Sequence, residues 1–242
     1  MRAALLALIV LPCMLAAISC LAPKPPPPTS DLSITIPWPG QEVSHYVLLD
    51  QKSLKQTGDG TLSITKVDGE YEMRQQFVAV DNKGTDSSTV DVDAQTLKPI
   101  SFHRKLQIPN QTQEVRGDYD YINGVVNIIQ VSDGNDRPIP MRLPTNYYDN
   151  DTAVFLWRTI PFAEGYTTAY RTVLTGSASQ AVVQIIVGPK EQVTVPTGTF
   201  QAWKVEIRSS GVKQFAWFAD TPQRPMVQYN NSIQLFQLTA LP

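Results

Sequence analysis

Along most of the chain, apolar and polar side chains alternate one by one, the two-residue period of a strand with one buried face. The stretch DGTLSITKVDGEYEMRQQFVAV is two such runs joined by Asp68-Gly69, a pair suited to two-residue hairpin turns, where both turn residues take positive φ. YDYINGVVNIIQV repeats the device around Asn123-Gly124. Between them, STVDVDAQTLKPISFHRKLQI predicts a strand, a turn over 94–99 and a second strand. Further runs predict strands over 166–175, 181–187, 200–208, 214–219 and 233–239. Within these, AVVQIIV is apolar on both faces apart from Gln184, so cover from both sides is expected. One segment, YYDNDTAVFLWRTIPF, breaks the period. Asp149 or Asn150 is placed as a helix N-cap and Pro161 ends the run, which predicts a single short helix over 151–159. Consecutive strands with little helix between them predict an all-β domain, an antiparallel meander closing into a barrel or sandwich, with the helix over its mouth or open side.

The first residues follow a different logic. After Met1 and Arg2 the chain is apolar from Ala3 to Ile18, interrupted by Pro12. A positive start, an apolar core and small residues before a boundary predict a secretory signal peptide over 1–19. The run is shorter than the ~20 residues a helix needs to cross a bilayer. The boundary Ala17-Ile18-Ser19-Cys20 resembles a bacterial lipobox, although Leu is commoner than Ala at its first position. That resemblance implies lipid attachment at Cys20, with a diacylglycerol on the thiol and an acyl chain such as palmitate on the new amine. Two or more chains give stable anchoring where one gives only marginal binding. Cys13 leaves with the signal peptide. The proline run that follows predicts an extended polyproline spacer, so residues 20–41 read as anchor and spacer and residues 42–242 as one domain.

Charge and composition narrow the chemistry. The formal charge of −2 and the absence of any basic run exclude an electrostatic nucleic-acid binder. With both cysteines in the first twenty residues, the domain has no disulfide to stabilise it in an oxidising compartment. Only two histidines are present, His45 and His103, each in a strand-like run, which is a poor basis for a zinc site or a Ser-His-Asp triad. Asp91 and Asp93 share one strand face and are the nearest approach to a carboxylate pair. They adjoin a turn, where Asp is expected anyway. DND at 149–151 and SDGNDRP at 132–138 lack the Gly and the closing Glu of a calcium loop. No metal and no cofactor is expected.

What remains is apolar capacity. FQAWKVEI sets Trp203, Val205 and Ile207 on one face, KQFAWFA sets Phe215 and Trp217 together, and the helix offers Trp157. These six residues either fill a core or line a cavity for an apolar ligand, since both give the same alternation. VTVPTGTFQAWKVEIR, followed by FAWFADTPQRPMVQYN, resembles the closing signature of a family of uncharacterised bacterial envelope proteins. VDAQTLKPIS and the YDND…LWRTIPF helix extend the likeness over most of 43–240. The resemblance implies a fold similar to the half-barrels of the Lol lipoprotein carriers and receptors: a strongly curved antiparallel sheet around a hydrophobic cavity, with short helical cover. Within it Pro196 and Gly198 make a turn, Phe200 plugs the core and Arg158 pairs with a carboxylate beneath the lid. It carries no catalytic residue. The expectation is therefore a non-enzymatic, lipid-anchored protein of the cell envelope that binds an acyl chain or a lipoprotein's lipid. The alternative is an interaction module with a filled interior, and an Asp91/Asp93 hydrolase comes third.

Overall fold

The structure, a computed structural model, describes residues 28–132 and 135–241. The signal peptide, Cys13, Cys20 and most of the proline run lie outside those residues. The first half of the chain forms β1 (Gln41–Asp50), β2 (Gln56–Val67), β3 (Glu70–Ala79), β4 (Thr85–Asp93), β5 (Pro99–Ile108), β6 (Gln111–Asp120), β7 (Val125–Ser132) and β8 (Asn135–Arg142). The second half forms β9 (Tyr147–Asp149), α1 (Ala153–Leu156), β10 (Thr167–Leu174), β11 (Ser179–Val195), β12 (Gly198–Ser209), β13 (Val212–Ala219), β14 (Met226–Asn230) and β15 (Gln234–Ala240).

All the strands belong to one sheet, ordered β8-β7-β6-β5-β4-β3-β2-β1-β15-β14-β13-β12-β11-β10-β9. Each half is thus a meander, and β15 pairs antiparallel with β1 to splice them, with Leu48 opposite Phe236. Every pairing is antiparallel except β9 with β10. The sheet curls strongly, but its two end strands, β8 and β9, are not paired with each other. The outcome is an incomplete barrel with helical cover, the half-barrel that the family resemblance implies and not the closed barrel or sandwich that alternation alone predicts.

Alternation decides which face is concave. Ile64, Met73, Val90, Val92 and Ile128 point inward and are at most 1% exposed. At about 1.5–3 kcal/mol per buried aliphatic side chain, this inward row is a principal source of stability in a domain without disulfides. The sheet wraps around residues 150–160, which begin as a 3-10 turn over Asn150–Thr152 and continue into α1. Asp149 is the N-cap, its carboxylate accepting from the Asp151 amide at 2.8 Å. The regular α-helix is shorter than the predicted 151–159; turns carry the chain on to Pro161.

Other expectations shift in detail. The segment AVVQIIV is buried at Val183, Ile185 and Val187, but Val182 and Ile186 are only half-buried, so its outer face is partly open. Phe200 likewise lies half-buried against the core rather than plugging it. The boundary at residue 42 also moves. Residues 29–38, read as spacer, run along the domain as a strap that buries Leu32 and Trp38. Asn146 Nδ2 donates to the Thr29 carbonyl at 2.9 Å, the Ser30 amide to Ala169 at 2.9 Å and the Thr35 amide to Thr159 at 2.9 Å. The folded unit therefore includes the strap, and a chain beginning at residue 28 keeps all of these contacts.

Candidate ligand-binding cavity

The cavity lies between α1 and the concave face and has a volume of about 570 Å³. That falls within the about 300–1,000 Å³ typical of small-molecule sites. Its floor is a chain of ring contacts. Phe77 meets Phe236 edge-on at 5.7 Å, Phe236 meets Tyr229 at 5.4 Å and Tyr229 meets Trp157 at 5.7 Å. Trp157 Nε1 donates to the Tyr170 hydroxyl at 3.1 Å. Burial pushes the Tyr170 and Tyr229 phenols well above the usual tyrosine range, so both stay neutral hydrogen-bonding groups. Leu62, Ile207 and Met226 complete the apolar wall.

The polar part of the lining gathers at one end, the mouth. Ser179 at the start of β11, Ser209 at the end of β12 and Ser210 in the turn after it line this end with Leu174, the last residue of β10, and Asn231, just after β14. Across from them, Arg104 of β5 makes a two-pronged pair with Asp86 of β4, Nε to Oδ1 at 2.8 Å and Nη2 to Oδ2 at 2.6 Å. The Asp86 hydrogen bonds hold the Arg104 guanidinium above its usual pKa. Asp151 and Asn150, at the start of the helical segment, also face the cavity. Gln75 Nε2 donates to the Asp151 carbonyl, fixing that turn against β3.

Behind the mouth, Asp149 is fully enclosed. Its Oδ2 accepts from the Tyr119 hydroxyl at 2.6 Å and from the Thr175 hydroxyl at 2.6 Å. Burial pushes the Asp149 carboxyl up to about 7, the Asp151 charge adds to the shift, and the hydroxyl bonds oppose it. This node joins β6 to β9 and to the turn after β10, where the sheet has no backbone ladder. Gly117 makes the approach possible, since a Cβ there would stand 2.8 Å from Thr175 Cγ2.

The opposite end is closed. Arg158 grips Glu42 of β1 with Nη1 to Oε1 at 2.5 Å and Nη2 to Oε2 at 3.0 Å, both side chains buried. It also donates to the Gln223 and Arg224 carbonyls at 2.6 and 2.9 Å. Removing one partner of such a pair typically costs about 3–5 kcal/mol. The Arg158 guanidinium lies 5.3 Å from the Trp38 ring centroid, so the strap seals this end.

The six residues singled out from the sequence are distributed, not gathered. Trp157 and Ile207 line the cavity. Val205 is fully buried beside it. Trp203 faces a separate surface recess with Phe162 and Arg224, and its Nε1 donates to Asp220 at 3.0 Å. Phe215 and Trp217 lie on the convex face. They pair in register with Glu206 and Lys204, Trp217 Nε1 donates to Glu191 at 2.6 Å, and Lys204 Nζ sits 5.3 Å from both rings. The polar half of the mouth escaped the sequence reading, because Gln75, Asp86 and Arg104 carry no local motif and meet only through strand register.

His45 and His103 are both on the outer face; His103 Nε2 meets Glu114 at 3.2 Å. Asp93 caps its turn, accepting from the Thr96 hydroxyl and amide at 2.6 and 2.8 Å, which holds its carboxyl below the usual range. Asp91 accepts from Ser101 at 2.6 Å. Among the described residues no group of His, Cys, Asp and Glu is arranged to hold a metal ion, and no helix is long and apolar enough to cross a membrane.

Fold and cavity together define a barrel-like β protein with an interior open at one end. The chain belongs to the family described as protein of unknown function (DUF3108), whose model matches residues 44–234. No curated protein matches it. The crystal structure of a beta-barrel-like protein of another domain of unknown function, DUF1849, from Brucella abortus is similar, with a TM-score of 0.54 at 12% identity. It spans 82% of this chain and 95% of the other, a likeness of fold alone. A candidate exported protein with a YmcC-like fold from Bacteroides fragilis is more distant, with a TM-score of 0.31 at 10% identity over 87% of this chain and 99% of that one.

Proposed function

We propose that the protein is a non-enzymatic, lipid-anchored component of a bacterial cell envelope that binds an apolar ligand, an acyl chain or a lipoprotein's lipid, in this cavity. The observation that carries the reading is the aromatic-floored space of about 570 Å³ inside a folded core. At about 30 Å³ per water it has room for roughly twenty waters, and an apolar floor holds water poorly. The lipobox-like sequence at Cys20 supports an extracytoplasmic, membrane-attached location. The hydrogen bonds of Asp93 are taken up by its turn, which disfavours the Asp91/Asp93 hydrolase alone.

The test is native mass spectrometry of the protein purified from its membrane fraction, with organic extraction of what co-purifies. A stoichiometric lipid is expected, and Ala181→Trp at the mouth should abolish it while leaving the fold intact. A bare mass overturns the reading. A second reading, a protein docked on the convex face, is favoured by Phe215, which lies half-buried on that side. Recovery of a stoichiometric protein partner that Phe215→Ala releases would favour it.

A further inference from the structure

The charges at the mouth discriminate among apolar ligands. The lining includes three formally charged side chains, Asp86, Arg104 and Asp151, and neither Lys nor His. Arg104 is the group that would ordinarily receive a carboxylate or phosphate. Its Nε and Nη2 are already committed to Asp86 at 2.8 and 2.6 Å, so that pair is neutral as a unit. Asp151 is left over and gives the mouth a net negative charge. An incoming anionic head would meet a like charge and an arginine whose two-pronged edge is already taken, with only Nη1 left to it.

The neutral polar groups lead to the same ligand. Thr172 lies on the cavity face of β10, between Tyr170 and Leu174 in the lining, and is 2% exposed. Its hydroxyl is buried without a hydrogen-bond partner among the described residues. A buried polar group left unmatched is costly, so such groups regularly mark where a water or ligand atom belongs. A hydroxyl donor and a carboxylate acceptor in one lining suit a head that combines an ester carbonyl with free hydroxyls.

Building on the function proposed above, we infer that the cavity takes acyl chains whose head group carries no negative charge, acylglycerol esters above all, and discriminates against free fatty acids. The glycerol hydroxyls would donate to Asp151 and the ester carbonyl would accept from Thr172.

The experiment uses the chain from residue 28 onward, which retains the folded unit, with Nile red as an uncharged reporter of the cavity. Monolauroylglycerol and laurate share one twelve-carbon chain and are titrated against the dye at pH 8, below their micelle concentrations. Monolauroylglycerol is expected to displace the dye on the order of tenfold more tightly than laurate, which corresponds to about 1.4 kcal/mol. Asp151→Asn and, separately, Asp86→Asn, which frees Arg104, should each narrow that ratio by strengthening laurate. Unchanged thermal midpoints would show that the variants fold. Equal or tighter binding of laurate by the unaltered chain overturns the inference and leaves the lipid-binding function standing. Failure of both lipids to displace a bound dye also overturns it. Failure of the dye itself to bind overturns the function on which it rests.

Discussion

Asp149 shows how much one side chain can hold together. It caps the helical segment, accepts from Tyr119 and Thr175, and closes the side-chain seam between β6 and β9. Its position also sets a pH response. A carboxyl with a folded pKa of about 7 holds its proton more tightly in the fold than in the unfolded chain, where the ordinary value is 3.8. The stabilisation it gives is complete below about pH 4 and is lost as pH rises through about 7. Asp50, Asp93 and Asp120 act in the opposite sense. Turn hydrogen bonds hold them low, so their contributions exist above the ordinary carboxylate range and vanish in acid. Urea unfolding across pH 4 to 8 should therefore show stability declining through the upper window, and Asp149→Asn should flatten that decline. An unchanged slope in the variant would show that another group titrates.

Among the elements, hairpins were the most legible. Asp68 and Gly69 take φ of 45° and 87°, the two-residue turn their dipeptide announces. Asn123-Gly124 also marks a hairpin, but its loop spans 121–124, because the Asp120 carboxylate accepts from the Asn123 amide and holds a longer turn. β8 was not legible. Pro138 and Pro140 argue against a strand, yet they sit in register with Ile129 and Asn127. A proline has no N–H for the ladder and is tolerated on an edge strand, where it withholds donors from any added strand. The strap was hidden for a related reason, since a proline-led segment carries no strand period although Leu32 and Trp38 are buried. Trp38 packs edge-on against Tyr71 at 5.8 Å as well as under Arg158. Trp38→Ala should cost about 3–5 kcal/mol in chemical denaturation. A loss below about 1 kcal/mol, the range of surface changes, would mean that the strap merely rests on the domain.

At the scale of the whole molecule, the order of strands matters more than their number. β15, the last strand of the second meander, makes the junction, pairing with β1 of the first on one side and with β14 on the other. Ending the chain at residue 232 should abolish cooperative unfolding by circular dichroism; a truncated chain that still melts sharply would mean that each half folds alone. The curved all-β class could be read from alternation, because a two-residue period records which side of a strand is buried. It does not record how far the sheet curls, nor which of two buried faces meets empty space. Phe215 and Trp217 share the period of core residues and yet end on the convex side. The strap, finally, contacts Ala169 near the start of β10, whereas the mouth gathers at Leu174 and beyond. A sensor surface coupled to the N-terminal end would thus hold the sealed base toward the chip and present the opening to the flowing sample, with no linker design needed to orient it.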